Sequence, residues 1–390
     1  MVDEKLFAYM NELLKRTPEA FSRYLYKRID WNARMVGITG PRGVGKSTML
    51  LQHIKRNNKD LRLYVAADNI YFVTNTLVDL ADEFVKDGGR YLYIDEVHKY
   101  KGWSRELKQI YDLHPELNII FTGSSVLDIL KGESDLSRRA LMYHLQGLSF
   151  REYLKYRHDI ESPVYSLEQI IAHEAVLPNV AHPLPLFRKY LQSGYYPFSH
   201  ESGFEQRMQQ IVVQTVESDI SQYAEMKAST ARKLKRMLAI ISQLAPYKPS
   251  AENLATEIGI SKNNVPDYLV YLERAGMIGQ LRDETGGMRG LGKVEKVYID
   301  NPNLMGTLAM GNPDIGNLRA TFFYNQMRVE NEIISSKVSD FCIDKYTFEI
   351  GGRNKGKRQI ANISNGIVVK DDIESGYSNI IPLWQFGLNY

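Results

Sequence analysis

The chain holds a single cysteine, Cys342, among its 390 residues. One thiol excludes an intramolecular disulfide framework and a thiolate metal centre, and it suits a reducing compartment. No apolar run approaches the roughly 18–20 residues of a membrane-spanning helix, so no membrane partner is expected. The opening stretch, MVDEKLFAYMNELLKRTPEAF, carries acids early and has no continuous apolar segment, so it does not read as a signal peptide. An excess of one charge is also missing. The 49 basic and 46 acidic side chains leave a formal charge of +3, which points to no polyanionic partner in bulk but leaves room for a local basic patch. The histidines lack ligand spacing; His173-Glu-Ala-Val-Leu177 starts like a zinc-protease helix, but leucine occupies the second histidine's place. What remains is a cytoplasmic globular chain of two or three domains.

Hydropathy supplies the first positive signal. Short apolar runs at Met35–Thr39, Leu61–Ala66, Tyr91–Ile94 and Asn118–Thr122 alternate with helical patterns, among them Leu77–Val85 and Trp103–Leu113. Such alternation predicts an α/β domain, a parallel sheet with helices on both faces, over about the first 150 residues.

The first run ends in Gly40-Pro41-Arg42-Gly43-Val44-Gly45-Lys46-Ser47-Thr48, which fits G-x-x-x-x-G-K-[ST] at every position. Glycines let backbone amides turn toward phosphates, and the following helix offers its positive end. Lys46 is expected on the β- and γ-phosphates, the Ser47 hydroxyl on Mg2+, and Thr48 on the α-phosphate side. A second glycine–lysine spacing, Gly351 to Lys357, has Arg358 where the hydroxyl belongs and no helix after it; it reads as a basic hairpin loop. A guanine-reading motif is absent, since Asn58-Lys59-Asp60 lacks its spacer, and ATP is the expected nucleotide.

Tyr91-Leu-Tyr-Ile-Asp95-Glu96 is an apolar strand ending in two acids. An aspartate there holds magnesium and an adjacent glutamate can polarise an attacking water, a pair that favours hydrolysis. Asn118-Ile-Ile-Phe-Thr122-Gly-Ser124 offers Thr122 and Ser124 as sensors of nucleotide state, although Thr-Gly-Ser also ends many ordinary strands.

Together these stretches resemble the AAA+-related (STAND-like) bacterial and archaeal ATPases that carry a DUF4143-type C-terminal region. Gly102-Trp103, Leu136-Ser-Arg-Arg139, Leu148-Ser-Phe-Arg-Glu-Tyr153, Gly194-Tyr-Tyr-Pro197 and Lys296-Val-Tyr-Ile-Asp300 extend the similarity along the chain. The resemblance implies a P-loop NTPase (AAA+-like) core at 1–160, a helical lid at 161–237, a winged helix at 238–305 and a nuclease-like α+β domain at 306–390. Relatives usually read Gly-Arg near position 138. Arg139 matches that arginine, a candidate arginine finger or an ordinary structural one.

Within 250–278, a short helix, the Gly259 turn, the Ser261 cap and a second helix make a helix-turn-helix, with Val265, Leu269 and Leu272 facing its core. Ser261, Lys262, Asn263 and Asn264 stand where a DNA reader offers side chains to bases. Asp267 and Glu273 share the helix, which leaves double-stranded DNA and a protein partner both open. In the tail, nuclease chemistry would need clustered carboxylates. Glu330 occupies an early position, but Lys357-Arg-Gln359-Ile360 and Val368-Val-Lys370 lack the other two, so no nuclease activity is expected. Two readings follow: an ATP-hydrolysing switch acting on DNA or a protein, or an ATP-dependent interaction and signalling module that turns over slowly or not at all.

Overall fold

Apolar residues in continuous runs form strands that are covered on both faces. In the computed structural model these are β1 Met35–Thr39, β2 Arg62–Ala66, β3 Tyr91–Asp95 and β4 Asn118–Thr122. The chain is described throughout except for residues 58–59, 124–135, 221–227, 245, 247, 249, 285–291, 310–312 and 357. A fifth strand, β5 Leu141–His144, lies at the sheet edge with its side chains half exposed; the hydropathy pattern does not predict it, because an edge strand needs no continuous apolar run. All five are parallel, in the order β2-β3-β4-β1-β5. Parallel pairing requires crossovers, supplied here by α2 Lys46–Arg56, α3 Leu77–Lys86 and α4 Trp103–Leu113, with α1 Glu4–Arg16 preceding the sheet. Leu63, Leu92, Ile94, Ile119 and Phe121 from the strands pack with Leu80, Phe84, Leu107 and Ile110 from the helices in one core.

The chain divides into two compact units, Met1–Gln146 and Gly147–Tyr390. Helix Phe150–His158 packs within the second, where the Phe150 ring meets Phe187 at 5.3 Å and Tyr190 at 5.6 Å between centroids. The first compact unit thus ends at Gln146, ahead of that helix. Further along, helices Ala251–Ile258 and Val265–Arg274 flank Gly259, whose φ of 73° ends the first of them. Val265, Leu269 and Leu272 are buried. An antiparallel hairpin follows, β6 Ile278–Arg282 with β7 Val294–Ile299. The chain then forms a mixed sheet from β8 Ile333–Ser335, β9 Phe341–Ile343, β10 Tyr346–Gly351, β11 Gly366–Lys370 and β12 Ile380–Pro382, in that spatial order. Phe322 and Phe323 of helix Ile315–Met327 share one aromatic core with Phe341, Phe348 and Phe386. Among the described residues no helix is long and apolar enough to cross a membrane.

The helix that follows the phosphate loop is fixed partly through a neutral histidine. His53 of α2 stacks on Trp31 at 3.9 Å and 12°, with its Nδ1 2.8 Å from the Tyr93 hydroxyl. Burial, helped by the Arg56 charge, lowers its pKa to about 4. The unfolded chain protonates this group near pH ~6.5, so stability contributed by neutral His53 is present above that value and lost as pH falls toward ~4. Between pH 7 and 5 the loss should be about 2 kcal/mol. Urea unfolding at the two pH values should show this loss in the wild type and a smaller one in His53→Gln; equal losses would overturn the assignment.

Candidate active site

Because every strand of the first sheet is parallel, the carboxyl ends of β1, β3 and β4 lie along one edge. The Gly40–Thr48 loop leaves β1 at that edge. Gly40, Gly43 and Gly45 have φ values of 144°, 78° and 98°, a region that disfavours side chains. At Gly40 the space is closed as well: a Cβ would lie 2.2 Å from the Leu145 carbonyl oxygen. Gly45 is the left-handed N-cap of α2, and no acid occupies the first turn of that helix. The positive end of α2 is thus left for an external anion. Lys46 opens the helix almost buried, its Nζ donating to the carbonyls of Gly40 at 2.8 Å and Pro41 at 2.7 Å. Ser47 and Thr48 follow in the same turn, half-buried and exposed.

The second half of the site is a hydrogen-bonded chain across three strands. Asp95, at the end of β3, is only 5% exposed. One carboxylate oxygen accepts from the Tyr64 hydroxyl of β2 at 2.8 Å, and the other accepts from Thr122 Oγ1 of β4. Burial and the adjacent Asp95 charge push the Tyr64 phenol far above its usual range, which keeps it a donor. The Thr122 oxygen also accepts from the Glu96 amide at 3.1 Å. Glu96 stands in the left-handed region at φ 55° and ψ 43°, a conformation that a non-glycine residue holds only when its surroundings impose it. Its carboxylate lies 3.8 Å from the Arg42 guanidinium, so the phosphate loop and the strand-end acids meet directly.

The sequence-derived residues Gly40 to Thr48, Asp95, Glu96 and Thr122 therefore share one edge. Thr122 sits there as the hydroxyl that orients both acids; Ser124 lies outside the described residues. Arg139 does not join them. It precedes β5 at the opposite edge, where its Nε and Nη2 each donate to Asp112 at 2.9 Å. This is the edge at which Arg34, just ahead of β1, reaches the Tyr111 carbonyl at 2.7 Å. The hydrogen bond from Arg139 lowers the Asp112 pKa. Two contributors are invisible in the motifs. Tyr64 reads as one more apolar strand residue, and Arg23, 5% exposed, holds the Val44 carbonyl of the loop together with the Gln146 carbonyl at 2.7 Å.

In the second unit Ser261, Lys262, Asn263 and Asn264 are exposed, with Lys262 3.0 Å from Glu252. In the mixed sheet Lys370 donates to the Arg353 carbonyl at 3.2 Å, while Asp371 pairs with Arg319 at 2.9 Å. Among the described residues no three histidine, cysteine, aspartate or glutamate side chains gather as a metal cluster.

Known proteins bear on this geometry. Residues 32–154 match the model of an AAA domain. Residues 184–314 match a domain of unknown function (DUF8612), a different model from the DUF4143-type region that the motifs resemble. An uncharacterized protein of Methanocaldococcus jannaschii is 25% identical over 69% of this chain. The match spans 64% of the length of that relative. Among solved structures, a Walker-type ATPase of Pyrococcus abyssi aligns over 76% of this chain and 99% of its own, at 14% identity and a TM-score of 0.46. AMPPCP-bound DnaA of Aquifex aeolicus aligns over 70% and 89%, at 15% identity and a TM-score of 0.25; at such scores the correspondence is loose. The domain match and the five-stranded parallel sheet agree on an AAA+-like P-loop NTPase fold for the first unit.

Two substitutions probe the site. Gly40→Ala should weaken binding of a fluorescent ATP analogue by roughly tenfold or more, since the new Cβ forces the loop off Leu145; unchanged affinity would show that the close approach is unimportant. Tyr64→Phe leaves a buried carboxylate oxygen without its donor and should cost about 1–3 kcal/mol in thermal or urea unfolding.

Proposed function

We propose that the chain binds ATP with Mg2+ at Gly40–Thr48, hydrolyses it with Glu96 as general base, and uses the nucleotide state to control what its second half binds. The observation that carries this reading is the meeting of the phosphate loop with Asp95 and Glu96 on one sheet edge, through Thr122 and Arg42. Lys46 exchanges the Gly40 and Pro41 carbonyls for the β- and γ-phosphates, which compete as charged acceptors for its ammonium. Ser47 and Asp95 would hold Mg2+, which supplies charge neutralisation at the phosphates when bound; one buried carboxylate and one hydroxyl suit an ion that keeps most of its waters. Glu96 accepts the proton of the attacking water, and Arg42 beside it exchanges between that carboxylate and the γ-phosphate. Arg139, at the far edge, contributes to hydrolysis only if it serves a neighbouring copy.

In this reading residues 161–237 act as a lid, 238–305 as a winged helix and 306–390 as a nuclease-like domain without nuclease activity. The partner is double-stranded DNA or a protein. The rival reading, a slow or non-hydrolysing interaction module, differs in turnover.

Steady-state ATP hydrolysis with and without duplex DNA separates them. Glu96→Gln should lower the rate by about 10²–10⁴-fold while ATP binding persists, the range expected for loss of a general base. Lys46→Ala should lose both. Wild-type protein that binds ATP without turning it over would sink the switch and leave the interaction module.

A further inference from the structure

The segment that joins α1 to β1 is fastened along α2. Gln52, 3% exposed, donates to the Pro18 and Phe21 carbonyls at 2.8 Å each, and Lys55 donates to the Thr17 carbonyl at 2.9 Å. Leu25 is buried, and Trp31 Nε1 donates to the Tyr26 carbonyl at 2.9 Å. Between these anchors lies a short 3-10 turn, Tyr24–Lys27.

The two elements that meet here bring bases and no acid. α2 reads KSTMLLQHIKR, and residues 22–29 read SRYLYKRI. Arg23 is buried on backbone carbonyls, and Lys55 lies 3.0 Å from Glu19, so neither charge is offered outward. Lys27, Arg28 and Arg56 are exposed. Arg56, in the last turn of α2, lies 4.4 Å from the centroid of the Tyr26 ring and donates to Ser22 Oγ at 2.7 Å. Arg28 lies 5.3 Å from the centroid of the Tyr24 ring. A ring and a hydroxyl hold the Arg56 guanidinium without neutralising it, and most of its donors stay unspent. Its charge adds to burial in keeping His53 neutral. The Lys27 ammonium joins no acid among the described residues. Asp30, the nearest acid in sequence, accepts from the Asn32 amide at 3.1 Å.

We propose that Lys27, Arg28 and Arg56 form a contact on the first unit for the phosphate backbone of duplex nucleic acid. Cations gathered without acids complement a polyanion. The neighbouring rings are engaged within the protein, Tyr24 by Arg28, Tyr26 by Arg56, and Trp31 by His53 at 3.9 Å. The patch thus offers charge rather than a platform for unstacked bases. That favours the duplex, whose charge is denser than that of a single strand, and makes binding independent of sequence. This goes beyond the ATPase reading, does not depend on it, and is distinct from the helix-turn-helix.

The test is fluorescence anisotropy of a labelled DNA duplex with the full chain, without nucleotide, over a salt series at about pH 8, where His53 is neutral. Removing two phosphate contacts in Lys27→Gln/Arg56→Gln should reduce the slope of log K against log salt by about 2, equally for unrelated sequences. Lys27→Gln alone should reduce it by about 1 and melt as wild type does, which decides the matter if loss of Arg56 perturbs α2. An unchanged slope in both variants, or no duplex binding by wild type, overturns the proposal. Tighter binding of a single strand of equal length also overturns it. So does equally tight, Lys27-dependent capture of a polyglutamate peptide, which assigns the patch to an acidic protein. With no nucleotide present, each of these failures leaves the ATPase reading untouched.

Discussion

Asp95 ends β3 at 5% exposure, and a carboxylate so placed must find its solvation within the protein. Tyr64 and Thr122 supply it from the two flanking strands. That requirement sets the register of β2, β3 and β4, because a slip of one residue would turn every side chain to the other face. The observed pairing, Tyr64 with Tyr93 and Ile94 with Phe121, sets Thr122 beside Asp95 and Tyr64 two residues back on the same face. Through the Glu96 amide, the Thr122 hydroxyl also helps hold the left-handed backbone that aims the second acid. Much of the site's geometry follows from one buried charge.

The chemistry of the donors separates three buried acids. Glu349 is met by Lys355 and Asp300 by Arg328, so each negative charge is neutralised by a cation of the same unit. Asp95 is met by two neutral hydroxyls. Hydrogen bonds of that kind bring no opposing charge beside it. The field of Asp95 stays available at the sheet edge, where a cation accompanying phosphates would feel it, whereas Glu349 and Asp300 are consumed in holding backbone segments together.

Local chemistry was legible in the sequence, and long-range geometry was not. The loop Gly40–Thr48 and the strand end Asp95-Glu96 are contiguous patterns whose residue types follow from their tasks. The central strands were visible because each is an uninterrupted apolar run. β5 was hidden, since an edge strand with half-exposed side chains carries no such run. Tyr64 and Arg23 were hidden for another reason: their partners lie 31 and 21 residues away, and nothing local distinguishes them from packing or surface residues. Arg139 shows the converse. A matching local motif does not reveal that the chain has crossed to the other edge of the sheet before reaching it.

Arg23 grips two carbonyls, that of Val44 at the heart of the phosphate loop and that of Gln146, the last residue of the first unit. A guanidinium is planar and nearly rigid, so its two ends cannot move independently. Any rearrangement of the loop that shifts the Val44 carbonyl is transmitted as a tug on the strand of chain leaving the sheet. In mechanical terms the loop and the exit of the unit share a single crank, with its pivot buried well away from solvent.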